Sequence, residues 1–212
     1  ATSYSILVTA PPGELMVFGG GRRELPYAPG RAKTTFASWA SRAWREQARE
    51  NLERFVHHVE NAPYGPAVIG YQIASGERGD WIYPGSEQGF LGDYHPAQQE
   101  AFSNWLQQRY QDVAILRTAW GQPFQPVTTP QALAENPVIL GWGQAKIPLQ
   151  ERRMKQFGGV LYDPSIAQDI ADYQLFASEA VVEVIADLTP TVQQASGGNK
   201  LIGTAYGHLF DL

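Results

Sequence analysis

Val68-Ile69-Gly70-Tyr71-Gln72-Ile73-Ala74-Ser75-Gly76-Glu77-Arg78-Gly79-Asp80-Trp81 is the stretch on which the fold turns. It opens as an apolar run, passes through small residues at Ala74, Ser75 and Gly76, and ends in Glu77, Arg78, Asp80 and Trp81. A short apolar run bounded in this way is the pattern of a buried strand. Such a strand fixes a position, and the loop that follows it supplies carboxylates, a guanidinium and an indole as chemistry. The same charges also fit an ordinary solvated turn with a local ion pair, so the stretch marks a candidate site.

Working outward toward the N-terminus, a helix is predicted from Ser41 to about Asn61, before Pro63. Trp44, Ala48, Leu52, Phe55, Val56 and Val59 recur at three- and four-residue steps, with Arg and Glu on the other face. His57 and His58 fall in its last turn, where the helix dipole favours a cation, and so read as structural. Before it, Ser5 to Ala10 reads as a buried strand stopped by Pro11-Pro12-Gly13, and Glu14 to Phe18 as a short extended piece. Gly19-Gly20-Gly21-Arg22-Arg23 and Pro26 to Gly30 then make a turn-rich excursion.

Toward the C-terminus, Asp93-Tyr94-His95-Pro96 leads into an amphipathic helix carrying Ala101, Phe102, Trp105, Leu106 and Tyr110. A further helical segment uses Val113, Leu116 and Ala119 and stops at Trp120-Gly121. Gln122 to Gln150 reads as irregular, with a short strand at Val138 to Leu140. Asp163-Pro164 is an N-cap with proline at the first helical position, opening a long helix with Ile166, Ile170, Tyr173, Ala177, Val181, Val184, Ile185 and Leu188 on its inner face. Pro190 is expected to kink or end it. Lys200 to Leu209 is the last predicted strand, with Tyr206 and His208 near its end. Crossovers of this length require parallel strand pairing, which makes the chain α/β.

Composition narrows the function classes. With 212 residues and 43% hydrophobic side chains, one sizeable domain spanning 1–212 is the expectation. A net charge of -5 with 16 scattered Lys and Arg offers no basic field, so nucleic acid is not an expected partner. No apolar run approaches the roughly 20 residues of a membrane span, so no membrane partner is expected. Zero cysteine excludes disulfides and thiolate sites and fits either a cytoplasmic or a secreted chain. Gly19-Gly20-Gly21 is not followed by a phosphate-loop helix, and the residues call for no cofactor. The 6 Trp, 10 Tyr and 9 Phe are compatible with a carbohydrate ligand, whose apolar faces suit flat rings.

Two stretches carry a resemblance to a known family. Gly70-Tyr71-Gln72-Ile73 is similar to the Gly-Trp-Gln-Ile strand of the glycoside hydrolase family 42 β-galactosidases, enzymes of the clan A (β/α)8 barrels. Asp93-Tyr94-His95-Pro96, Glu100-Ala101-Phe102, Trp105-Leu106, Arg109-Tyr110 and Ala119-Trp120-Gly121 resemble the next helix of that family and its closing Ala-Trp-Gly. The resemblance implies retaining hydrolysis of a β-glycoside, with Glu77 as general acid/base and Asp80 as its rival. It implies a sugar site lined by Tyr71, Gln72, Trp81, Tyr83, Tyr206 and His208. Where the family has Asp-Asn-Glu, this chain has Ala74-Ser75-Gly76-Glu77, so Glu77 needs a one-residue shift. Retention also requires a second carboxylate about 5 Å away. Glu179 and Asp211, the late carboxylates, read as surface charges.

Three predicted strands fall short of eight, and a whole barrel typically takes roughly 250 residues. The expected architecture is therefore an incomplete TIM barrel: a segment of a longer enzyme, a subunit completed by another chain, or a smaller α/β protein. Exposed sheet edges would then favour a homo-oligomer or a partner chain that completes the barrel. The competing reading is a non-catalytic carbohydrate-binding or barrel-completing chain without a nucleophile. A metal-dependent hydrolase built on His95 and His208 has no ligand spacing to support it.

Overall fold

Ser41 accepts the Trp44 N–H on its hydroxyl at 3.1 Å and so caps α1, Arg42–Glu60, in a computed structural model that describes residues 12–24, 35–76, 79–86, 89–122, 139, 141–154 and 163–206. The apolar spacing of α1 buries Trp44, Ala48, Val56 and Val59 on one stripe. Two strands follow the same alternation logic. β1, Gly70–Gln72, pairs in parallel with β2, Leu201–Gly203, in the register Gly70 to Leu201, Tyr71 to Ile202 and Gln72 to Gly203. Ile73 N donates to Gly203 O at 2.9 Å and Leu201 N to Ile69 O at 3.1 Å, extending the ladder at both ends. Gly70 is required by proximity, since a Cβ there would lie 2.5 Å from Leu201 O.

Successive strand residues face opposite sides. Tyr71, Ile73 and Ile202 pack into the core, whereas Gln72, Gly203 and Leu201 are exposed, Leu201 by 73%. The sheet therefore has one face on helices and one open.

The chain divides into two compact units. The first comprises residues 1–95 and 179–212, and its core joins Met16, Phe18 and Trp39 to α1, Ile73, Trp81 and the buried Val181, Val184, Leu188 and Val192. Glu14 to Phe18, expected as extended, makes isolated antiparallel bridges from Leu15 to Ala37 and from Phe18 to Arg22. At the lower end of the sheet, Tyr71 donates its hydroxyl to Glu60 Oε1 at 2.5 Å, and Lys200 Nζ reaches Val68 O at 2.7 Å, Gly65 O at 3.0 Å and Glu60 Oε2 at 3.6 Å.

The second unit, 96–178, holds α2, Pro96–Tyr110, α3, Val113–Ala119, and α4, Gln150–Arg153. Phe102 lies at the centre of its aromatic core, with Tyr173 and Phe176 at 5.2 Å and Trp105 and Trp120 at 6.2 and 6.3 Å between ring centres. Buried Asp172 accepts from Tyr110 Oη at 2.7 Å, Trp120 Nε1 at 2.8 Å and Gln168 Nε2 at 2.8 Å. Its desolvation is met by these donors and by Arg109 Nε at 3.4 Å.

α5, Pro164–Ala195, corrects one expectation: it continues through Pro190 to Ala195, and its one non-helical residue is Ala167 (φ -142°, ψ 34°). Burial of Leu188 and Val192 on either side of Pro190 holds the helical path. The expected strand at Ser5 to Ala10 and most of that at Val138 to Leu140 lie outside the described residues. The described residues thus form a mixed α/β structure, mostly helical, with a two-stranded parallel sheet; they do not close a barrel.

Candidate active site

The end of β1 is fixed by three donors. Thr204 Oγ1 donates to Ile73 O at 2.7 Å, and Trp81 Nε1 donates to the same carbonyl at 3.2 Å. Trp39 Nε1 donates to Ser75 Oγ at 3.1 Å. Trp81 N then donates to Ser75 O at 3.0 Å, tying the two residues together at the end of β1. Gly76 sits at φ +86°, where a Cβ would come 3.0 Å from Ile82 O, so the turn needs glycine there. Trp81 adopts φ +61°, a conformation costing on the order of 1–3 kcal/mol, which its two hydrogen bonds and complete burial sustain.

This turn gathers some of the expected residues and leaves others out. Asp80 is 7% exposed and accepts from Ile82 N at 3.3 Å. Trp81 is 2% exposed, and Trp39 packs between it and half-buried Tyr83, at ring-centre distances of 5.5 and 4.7 Å. Gln72 lies on the open face of the sheet. Tyr206, 45% exposed, stands three residues beyond Gly203 as Ser75 stands three beyond Gln72. Tyr71 turns the other way, its ring edge-on to Phe55 at 6.5 Å and its hydroxyl on Glu60; burial and that bond raise its phenol pKa above the ordinary value. Glu77 and His208 lie outside the described residues.

Comparison with known proteins adds a likeness of fold. No family model matches the sequence, and no curated protein does. Solved structures do match. The β-galactosidase of the Antarctic haloarchaeon Halorubrum lacusprofundi superposes with a TM-score of 0.60 at 18% identity, covering 92% of this chain and 25% of its own. That of Bacillus circulans sp. alkalophilus gives 0.57 at 15%, covering 89% and 23%. That of the psychrophilic Marinomonas ef1 gives 0.56 at 19%, covering 90% and 24%. The chain spans about a quarter of the length of these enzymes and shares the fold of that quarter.

Two elements of the site escaped the sequence reading. Trp39 stands two residues before the Ser41 cap, with no periodic pattern to tie it to Ser75 or Tyr83, which only the tertiary fold brings near. Asp93 is fully buried, with Oδ1 accepting from Val17 N at 3.0 Å and His95 N at 2.8 Å. Burial drives its pKa above the usual carboxylate value, against the lowering effect of the Ser38 hydroxyl and those backbone donors. His95 Nε2 lies 3.0 Å from Gly13 O, so Asp93 and His95 pin the segment from Gly13 to Val17 to the start of α2. Among the described residues no group of three His, Asp or Glu is placed to hold a metal ion.

Proposed function

We propose that this chain forms part of a β-glycoside hydrolase and carries the proton-donating carboxylate on the turn after β1. The observation that supports this most is the fold shared with three β-galactosidases over about nine-tenths of the chain. Glu77 is the proposed acid/base and Asp80 the rival. As a carboxylic acid, the group protonates the leaving glycosidic oxygen while a second carboxylate attacks the anomeric carbon; its conjugate base then deprotonates the water that releases the sugar. Gln72, Tyr83 and Tyr206, all reached by solvent, are the proposed sugar contacts, with His208 beside Tyr206 in sequence. Trp81 and Tyr71 hold the strand behind them, and the nucleophile is supplied from beyond the described residues.

The test is hydrolysis of a panel of nitrophenyl glycosides by the wild type, Glu77→Gln and Asp80→Asn. Loss of general acid catalysis typically lowers rates by about 10²–10⁴-fold, and by much less for leaving groups so acidic that they depart without a proton. Glu77→Gln is expected to show that graded loss on a β-galactoside, while Asp80→Asn retains turnover.

A second reading has its own observation, the quarter-length match to the β-galactosidases. It makes the chain a carbohydrate-binding or barrel-completing piece whose nucleophile lies elsewhere. Sugar binding without turnover in any variant would select it.

A further inference from the structure

Around the end of β1, residues of the first unit line a cavity of about 220 Å³ that is open to solvent on one side. Its wall includes Trp44 and Phe55 of α1, Ile73 and Trp81, and Leu188 and Val192 of α5. None of the residues lining it carries a charge. Well-packed interiors seldom leave a void larger than a water molecule. An apolar cavity of roughly 150 Å³ stays dry and accepts benzene, whereas a cavity that holds water needs two to four polar partners. Apart from the indoles, the polar side chains in the lining are Ser75, Gln72 and Tyr71, and the Tyr71 hydroxyl is taken up by Glu60. Ser75 Oγ accepts from Trp39 and keeps its own proton to donate, and Gln72 is also in the lining. Exposed Gln72 and Ala74 and half-buried Leu52, Phe55 and Tyr71 put the mouth at the strand side.

We infer that this cavity is a binding site for a single-ring aromatic molecule bearing one hydroxyl, the ring seated among Trp44, Phe55 and Trp81 and the hydroxyl directed to Ser75 and Gln72. The flat walls suit a ring, the volume accommodates one, and the uncharged lining excludes an ionised guest. The inference stands on the core geometry and not on the glycosidase reading, and its test measures no hydrolysis. Because Trp81 both walls the cavity and closes the turn on Ser75 O, a seated ring also braces the turn that carries Asp80.

The experiment is thermal unfolding of the whole chain with phenol and with benzene as probes, repeated on Ala48→Leu, which fills the wall, and on Leu52→Trp, which blocks the half-buried mouth without deep overpacking. Phenol is expected to raise the unfolding midpoint saturably and benzene to do so at higher concentration. Either variant should weaken apparent affinity by about tenfold or more, because the larger side chain takes up space the ring would occupy. If Ala48→Leu does not fold, Leu52→Trp carries the comparison. No midpoint shift with either probe in the wild type overturns the site; an equal shift in wild type and Leu52→Trp overturns it as well. Benzene binding as tightly as phenol overturns the role given to Ser75 and Gln72.

Discussion

Asp93 is a carboxylate fully withdrawn from water, and the balance around it sets a pH dependence. Burial raises its pKa more than Ser38, the Val17 and His95 amides and the neighbouring His95 lower it. A folded pKa above the unfolded value of about 3.9 gives a contribution that is complete below that value and is lost as pH rises through the folded pKa. The wild type should therefore lose stability relative to Asp93→Asn as pH rises above the unfolded value. The asparagine carbonyl still accepts from Val17 and His95, and its amide can donate to Ser38. Each unit of elevation corresponds to about 1.4 kcal/mol of divergence between the two urea-unfolding curves. Parallel curves above about pH 4 would mean that the two amide bonds offset the burial. Little in Asp93-Tyr94-His95-Pro96 signalled this, because Val17 and Ser38 come from segments far away in sequence.

The helices were legible where a local rule sufficed. α1 combines a serine cap with six apolar residues on one stripe, and its end at Glu60 matches the expected stop near Asn61. α2 and α3 likewise follow their aromatic and aliphatic spacing. Pro190 does not end the helix, because the local preference against proline in a helix interior yields to the burial of Leu188 and Val192. The Val68 strand was legible as a strand, but its three-residue paired length depends on β2 and was not. Of the site, the turn at Gly76 was visible as glycine and charge, while the commitment of Trp81 to the core was hidden, since an indole reads the same beside a sugar or a carbonyl. The close approach at Gly70 gives a sharp test of the pairing. Gly70→Ala should lower unfolding free energy by about 1–3 kcal/mol, the usual range for overpacking, because its methyl would meet Leu201 backbone. A variant as stable as wild type in urea would show that β1 and β2 can separate without loss.

At the scale of the molecule, β1 and β2 pair with each other alone among the described residues, and Ile69 and Leu201 are 82% and 73% exposed. An open strand edge beside exposed aliphatic residues is a template for another chain. The purified chain is therefore expected to exceed a monomer's mass in light scattering, and a monodisperse monomer would count against this. The α/β class and parallel pairing followed from crossover length. The number of paired strands did not, because it is set by contacts no local pattern encodes.

Thr204 Oγ1 meets Ile73 O across 131 residues of sequence. During synthesis, at about 5–20 residues per second, β1 leaves the ribosome roughly 7–26 seconds before its partner strand exists. For that interval the nascent chain holds an unpaired strand while the whole second unit is being made between the two. Slowing translation within 96–178 should then increase capture by chaperones, whereas early folding of that unit would shorten the effective loop that β1 and β2 must close.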